Sequence, residues 1–142
     1  MSWYGDMLRA GIKSDAAHIE LTKPLVAYNH HYLLDISYDD KEDGTAEASI
    51  QITNAAGENV DEAMVVHMWI SETELGAVHA ITGITVDTGQ TLTEVASDGE
   101  LSVVSNSAGL IELTLDEDGA GTIFLNADIG GHVTSEEIEI TT

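Results

Sequence analysis

From Tyr32 onward, apolar and polar positions alternate along most of the chain. Leu34, Ile36 and Tyr38 alternate with Leu33, Asp35 and Ser37, and Ala46, Ala48, Ile50 and Ile52 with Glu47, Ser49 and Gln51. Successive side chains of a strand point to opposite faces, so this period of two predicts strands with one buried face. Further strands are expected at Met64–Ile70, Ile81–Val86, Thr91–Val95, Leu101–Val104, Ile111–Leu115, Ile123–Ile129 and Ile138–Ile140. Turn chemistry separates them: Asp43-Gly44, Asn54 to Gly57, Asp98-Gly99, Asn106 to Gly109, Asp118-Gly119 and Gly130-Gly131. About seven to nine short strands with glycine turns and many Val, Ile and Thr residues predict an all-β sandwich or barrel. Met64–Ile70 is apolar on both faces, which marks a central or doubly covered strand.

Residues 1–24 break the pattern. Trp3, Tyr4, Met7, Leu8 and Ile12 have rough helical spacing, Gly5 and Gly11 interrupt it, and Pro24 ends it. The reading is an extended or short-helical arm at 1–24 followed by a β domain at 25–142. So apolar a segment either packs on its own domain or docks on a neighbour, and its place outside the β pattern favours docking. The residues expected to touch a partner are Trp3, Tyr4, Met7, Leu8, Arg9, Ile12 and Lys13.

The chain of 142 residues carries 26 acidic and 4 basic side chains, a formal charge of −22. All four cations, Arg9, Lys13, Lys23 and Lys41, fall within the first 41 positions, and residues 42–142 hold 20 acids with no Lys or Arg. That balance excludes nucleic-acid binding by phosphate neutralisation. It also leaves the β domain to rest on apolar burial and backbone pairing, with a self-repulsion that salt screens. Such a protein suits salty surroundings or a need for colloidal solubility. No apolar run is long enough to span a membrane, and the first residues lack the pattern of a secretory leader. There is no cysteine, so disulfides, thiolate metal sites and a cysteine nucleophile are excluded.

Candidate chemistry is sparse. The acid runs Asp39-Asp40-Lys41-Glu42-Asp43 and Asp116-Glu117-Asp118 depart from the order of a calcium loop and read as solvated Asp-Gly turns. The six histidines lack helical zinc spacing, and His67, in the most apolar strand, reads as a satisfied core group. No nucleophile elbow or phosphate loop occurs. The expectation is a non-enzymatic protein without a cofactor.

The stretch Ala46 to Gly57, followed by Val65-Val66-His67-Met68-Trp69-Ile70-Ser71, resembles a domain of the structural proteins of tailed, bacteriophage-like viruses. Val103 to Gly109, Ile123 to Gly131 and Ile138 to Thr142 are similar too, so the resemblance covers about residues 45–142. It implies an Ig-like antiparallel β-sandwich displayed on a virion, on the capsid exterior or on the tail, with no catalytic residues to carry over. With the charge pattern, it leads to the expectation of a capsid decoration protein. Such a protein would bind the major capsid protein or another virion protein through its arm, as a symmetric homo-oligomer with a trimer favoured. A tail, neck or fibre component is the nearest alternative. A calcium-dependent or glycan-binding adhesion module is a further one.

Overall fold

The computed structural model describes residues 32–142, and the arm at 1–24 and all its expected contact residues lie outside them. Nine antiparallel strands follow in chain order: β1 (Tyr32–Asp40), β2 (Thr45–Asn54), β3 (Val65–Ser71), β4 (Gly83–Thr88), β5 (Gln90–Ala96), β6 (Glu100–Val104), β7 (Leu110–Asp116), β8 (Gly121–Ile129) and β9 (His132–Ile140). They form a four-stranded sheet, ordered β1-β2-β7-β4, and a five-stranded sheet, ordered β9-β8-β3-β6-β5. The all-β antiparallel sandwich is therefore present. Its central strands follow immunoglobulin connectivity, with β1, β2 and β7 in the places of A, B and E, and β3, β8 and β9 in those of C, F and G. The edge strand β4 and the pair β5–β6 are inserted between the third and seventh strands.

Alternation explains which face each strand buries. In the four-stranded sheet, Ile36, Ile50 and Ile111 form one cross-strand row, and Ala48, Leu113 and Val86 the next. In the five-stranded sheet, Met68 stands between Leu101 and Ala127, and Ile70 faces Leu125. These inward rows belong to one core that runs from Leu34 to Ile140. Each fully buried Ile or Leu in it contributes about 1.5–3 kcal/mol by leaving water.

One flank is stitched shut, where β1 lies against β9. The Thr141 hydroxyl donates to Asp40 Oδ2 at 2.6 Å, the Gly44 N–H donates to the Thr141 carbonyl at 2.8 Å, and the Glu139 N–H donates to the Tyr38 hydroxyl at 3.3 Å. The opposite flank carries the edges β4 and β5. There the chain passes from one sheet to the other through Gly89 alone, at φ +100°.

Three local readings change. β9 begins at His132, well before Ile138, because its first six residues, all polar except the exposed Val133, show no apolar alternation. β5 has no buried face: it is an exposed edge whose pairing with β6 slips twice. His67 lies on the outer face of β3, half-exposed, and is not a core group. β3 itself is the middle strand of its sheet, as its apolar run predicts.

Candidate functional site

The two outer faces of the sandwich differ in chemistry. On the four-stranded sheet, the carboxylates of Asp39, Glu47, Asp87 and Glu112 surround a shallow depression of about 360 Å³ floored by Ser37 and Ser49. Strand alternation puts them there, because each occupies an outward position beside inward Tyr38, Ala48, Val86 or Leu113. Lys41 bridges Asp39 at 2.8 Å and Glu47 at 3.4 Å. The Thr88 hydroxyl donates to Glu112 and the Thr114 hydroxyl to Asp87, both at 2.6 Å. This surface repels anions and admits cations. Among the described residues that line it there is no histidine.

The acidic turns at one end of the sandwich serve the backbone. Asp40 Oδ1 accepts the Glu42 N–H, Asp43 Oδ1 accepts both the N–H and the hydroxyl of Thr45, and the Glu117 N–H donates to the Gly44 carbonyl. Among the described residues, no three acid or histidine side chains converge to hold a metal ion. The two Asn turns share one chemistry: Asn54 Oδ1 accepts the N–H groups of Ala56 and Glu58, and Asn106 Oδ1 those of Ala108 and Leu110.

Two ionisable groups in the first turn are displaced from their ordinary values. The hydroxyl of Thr141, then the N–H of Glu42, hold the Asp40 carboxyl below 3.8. A lowered carboxylate pKa stabilises the fold above the unfolded-state value, and that stabilisation is lost as pH falls through the folded-state value. An acid titration of stability should therefore lose part of its slope below about pH 4 in Asp40→Asn. Fluorescence-monitored unfolding at stepped pH would read this, and an unchanged acid limb would show that the Asp40–Thr141 contact carries nothing. Lys41 is raised above 10.5, by Asp39 first and Glu47 second. Its contribution is present below 10.5 and fades as pH rises through the folded-state value.

On the outer face of the five-stranded sheet, Leu75 and Gly76 of the β3–β4 connection lie over Trp69 and Asn126. The Trp69 indole N–H donates to the Gly76 carbonyl at 2.9 Å, and the ring stacks on His67 at a centroid distance of 5.5 Å. His67 Nε2 lies 2.7 Å from Glu100 Oε2. Beside them Asn126 is fully buried. Its Oδ1 accepts the Leu75 N–H at 3.1 Å and the Ser135 hydroxyl at 2.7 Å. Its Nδ2 donates to the Trp69 carbonyl at 3.1 Å and to Ser71 Oγ at 2.8 Å. Both donors and both acceptor sites of the amide are used, so this network anchors that connection. Sequence reasoning missed Asn126, which looks like an ordinary outward polar residue between Leu125 and Ala127.

These features define an acidic antiparallel β-sandwich protein. No protein-family profile matches the chain, and neither does any curated protein. It has a weak likeness to crystal structures of a GH20 exo-β-N-acetylglucosaminidase from Vibrio harveyi, one in complex with N-acetylglucosamine and one of an inactive mutant. Each is 11% identical, at a TM-score of 0.34, over 78% of this chain and 18% of the enzyme chain. A likeness of that size carries no inference about activity.

Proposed function

We propose that the protein is a non-enzymatic virion structural protein that decorates or cements a capsid exterior. In this reading residues 1–24 hold the major capsid protein and the sandwich stands outward. The observation that carries it is the partition of charge. The sandwich, from Tyr32 on, contains every acid except Asp6, Asp15 and Glu20, and a single Lys or Arg, Lys41, which Asp39 and Glu47 already bind. Arg9, Lys13 and Lys23 stand with Trp3, Tyr4, Met7, Leu8 and Ile12 in the first 24 positions. A body of that charge stays in solution and repels its like, which suits display at high local density. The leading segment has the aromatic, apolar and cationic groups that make binding hot spots, and in this reading Arg9 and Lys13 pair with acids of the shell.

The test uses the full chain with Trp3→Ala and Leu8→Ala together. Loss of two hot-spot side chains should weaken binding to purified capsids at least about 100-fold. The β-sheet circular dichroism should be unchanged, which separates a lost contact from a lost fold. Undiminished capsid binding overturns the reading. So does mass spectrometry that finds the chain in separated tails and not in heads.

A further inference from the structure

The dipeptide Asp-Gly occurs three times, as Asp43-Gly44, Asp98-Gly99 and Asp118-Gly119, each time between two consecutive strands. This pair has a chemistry of its own, because Gly has no Cβ to shield its backbone nitrogen. That nitrogen can attack the carboxyl carbon of the Asp side chain. The new N–C bond closes a five-membered succinimide ring, and the carboxyl oxygen leaves with the amide proton as water. A second water then opens the ring. Cleavage at the side-chain carbonyl restores Asp, and cleavage at the main-chain carbonyl leaves an isoaspartyl residue, with the backbone running through the former side chain. One water is lost and one regained, so the sum is an isomerisation that needs no oxidant or co-reactant. It does need a free Gly amide and a free carboxyl, and a fold can hold both or release both.

Two of the three pairs are held. Gly44 is buried, and its N–H donates to the Thr141 carbonyl at 2.8 Å. Asp43 Oδ1 accepts the Thr45 N–H at 3.0 Å and the Thr45 hydroxyl at 2.6 Å. Gly99 is buried, and its N–H donates to the Ala96 carbonyl at 3.0 Å, while Asp98 Oδ1 accepts the Ile84 N–H at 3.2 Å. Attack at either pair first breaks the hydrogen bond of a buried amide.

The third pair is different. Asp118 and Gly119 are both exposed. The turn around them is fixed: the Ala120 N–H donates to the Glu117 carbonyl at 3.1 Å, and the Asp118 N–H donates to Thr82 Oγ1 at 2.8 Å. Gly119 is the third residue of this four-residue turn, at φ +87°, and its amide takes no part in the closing bond. Among the described residues neither the Gly119 N–H nor the Asp118 carboxyl has a hydrogen-bond partner. A Cβ placed on Gly119 would meet nothing within 4 Å, so the added main-chain methylene of an isoaspartyl product has room.

We infer that Asp118-Gly119 is a site of spontaneous isoaspartate formation, and that the fold protects the other two pairs. The change falls where the chain crosses from the four-stranded sheet to the five-stranded one, between β7 and β8. It is independent of the proposed capsid attachment.

The test ages the full folded chain for weeks in mildly acidic buffer, beside a sample aged in urea. Chymotrypsin-type cleavage, at positions such as Tyr38, Leu92 and Leu115, then leaves each Asp-Gly bond inside its own peptide. Each peptide is offered to an isoaspartyl methyltransferase with labelled S-adenosylmethionine. In the folded sample the Asp118 peptide should gain label at least about tenfold faster than the other two, a barrier difference of about 1.4 kcal/mol. In urea the three should gain label at similar rates. The mass of each labelled peptide separates isomerisation, which leaves it unchanged, from deamidation of a nearby Asn. Asp118→Glu, which would have to close a six-membered ring, should keep native circular dichroism and leave that peptide unlabelled. An Asp118 peptide that stays unlabelled in the folded sample overturns the inference. Equal label in the Asp43 or Asp98 peptide of that sample overturns it too, as does the same ranking in urea.

Discussion

Asn126→Ala is expected to lower the stability of the sandwich by about 3–5 kcal/mol, which for a domain of this size is a fall in Tm of roughly 10–20 °C. A single net hydrogen bond contributes only about 1 kcal/mol, and four lost bonds do not simply add. The larger part comes from what the substitution strands. The Leu75 N–H and the Trp69 carbonyl lose a partner, and each such group costs about 1–3 kcal/mol, while the Ser71 hydroxyl keeps its bond to the Thr73 carbonyl. Asn126→Asp should be no better, because a carboxylate cannot donate to the Trp69 carbonyl and is itself expensive to bury. Ser135→Ala removes one bond of the same network and should cost about 1 kcal/mol. Chemical denaturation of the three variants would establish the order. A loss below about 1 kcal/mol in Asn126→Ala would mean that the connection over Trp69 is held by something else.

Gly89→Ala is the second large effect, expected at about 2–4 kcal/mol. Gly89 has φ +100°, which L side chains rarely adopt. An added Cβ would also stand 2.7 Å from the Val104 carbonyl oxygen, a backbone atom with little room to yield. Gly119, at φ +87°, has no atom within 4 Å of the same position. Gly119→Ala therefore reports the backbone term alone, about 1 kcal/mol. The difference between the two variants measures the clash at the crossing from β4 to β5. Equal losses would show that Gly89 is required for its dihedral angle and not for the close approach.

The elements legible in the sequence are those whose alternation is driven by one buried face. Ala46, Ala48, Ile50 and Ile52 announce β2, and Ile111, Leu113 and Leu115 announce β7, because inward rows must be apolar and outward rows meet water. The same rule fails where an outward row does not meet water. Nothing local to Asn126 tells that Leu75 and its neighbours fold over it, since that cover comes from a segment some fifty positions away. It fails again at β5, where Thr91 to Val95 lie between turn signals as a strand would, yet Leu92 and Val95 have opposite parity, and after the slips against β6 both stand exposed. His67 shows the third kind of failure. An apolar strand suggested a buried imidazole, but a middle strand has two faces, and His67 shares the outer one with Glu100 and Trp69. The acidic turns were legible as turns, because Asp and Gly chemistry acts within a few residues.

The position of Lys41, bound by Asp39 and Glu47, has one more outcome. No Lys or Arg follows Lys41 in the sequence, so an enzyme that cleaves after those residues finds no bond of its kind from residue 42 to Thr142. Trypsin-type digestion can trim the leading residues, but it must leave almost the whole sandwich as a single uncut fragment, whether that sandwich is folded or not.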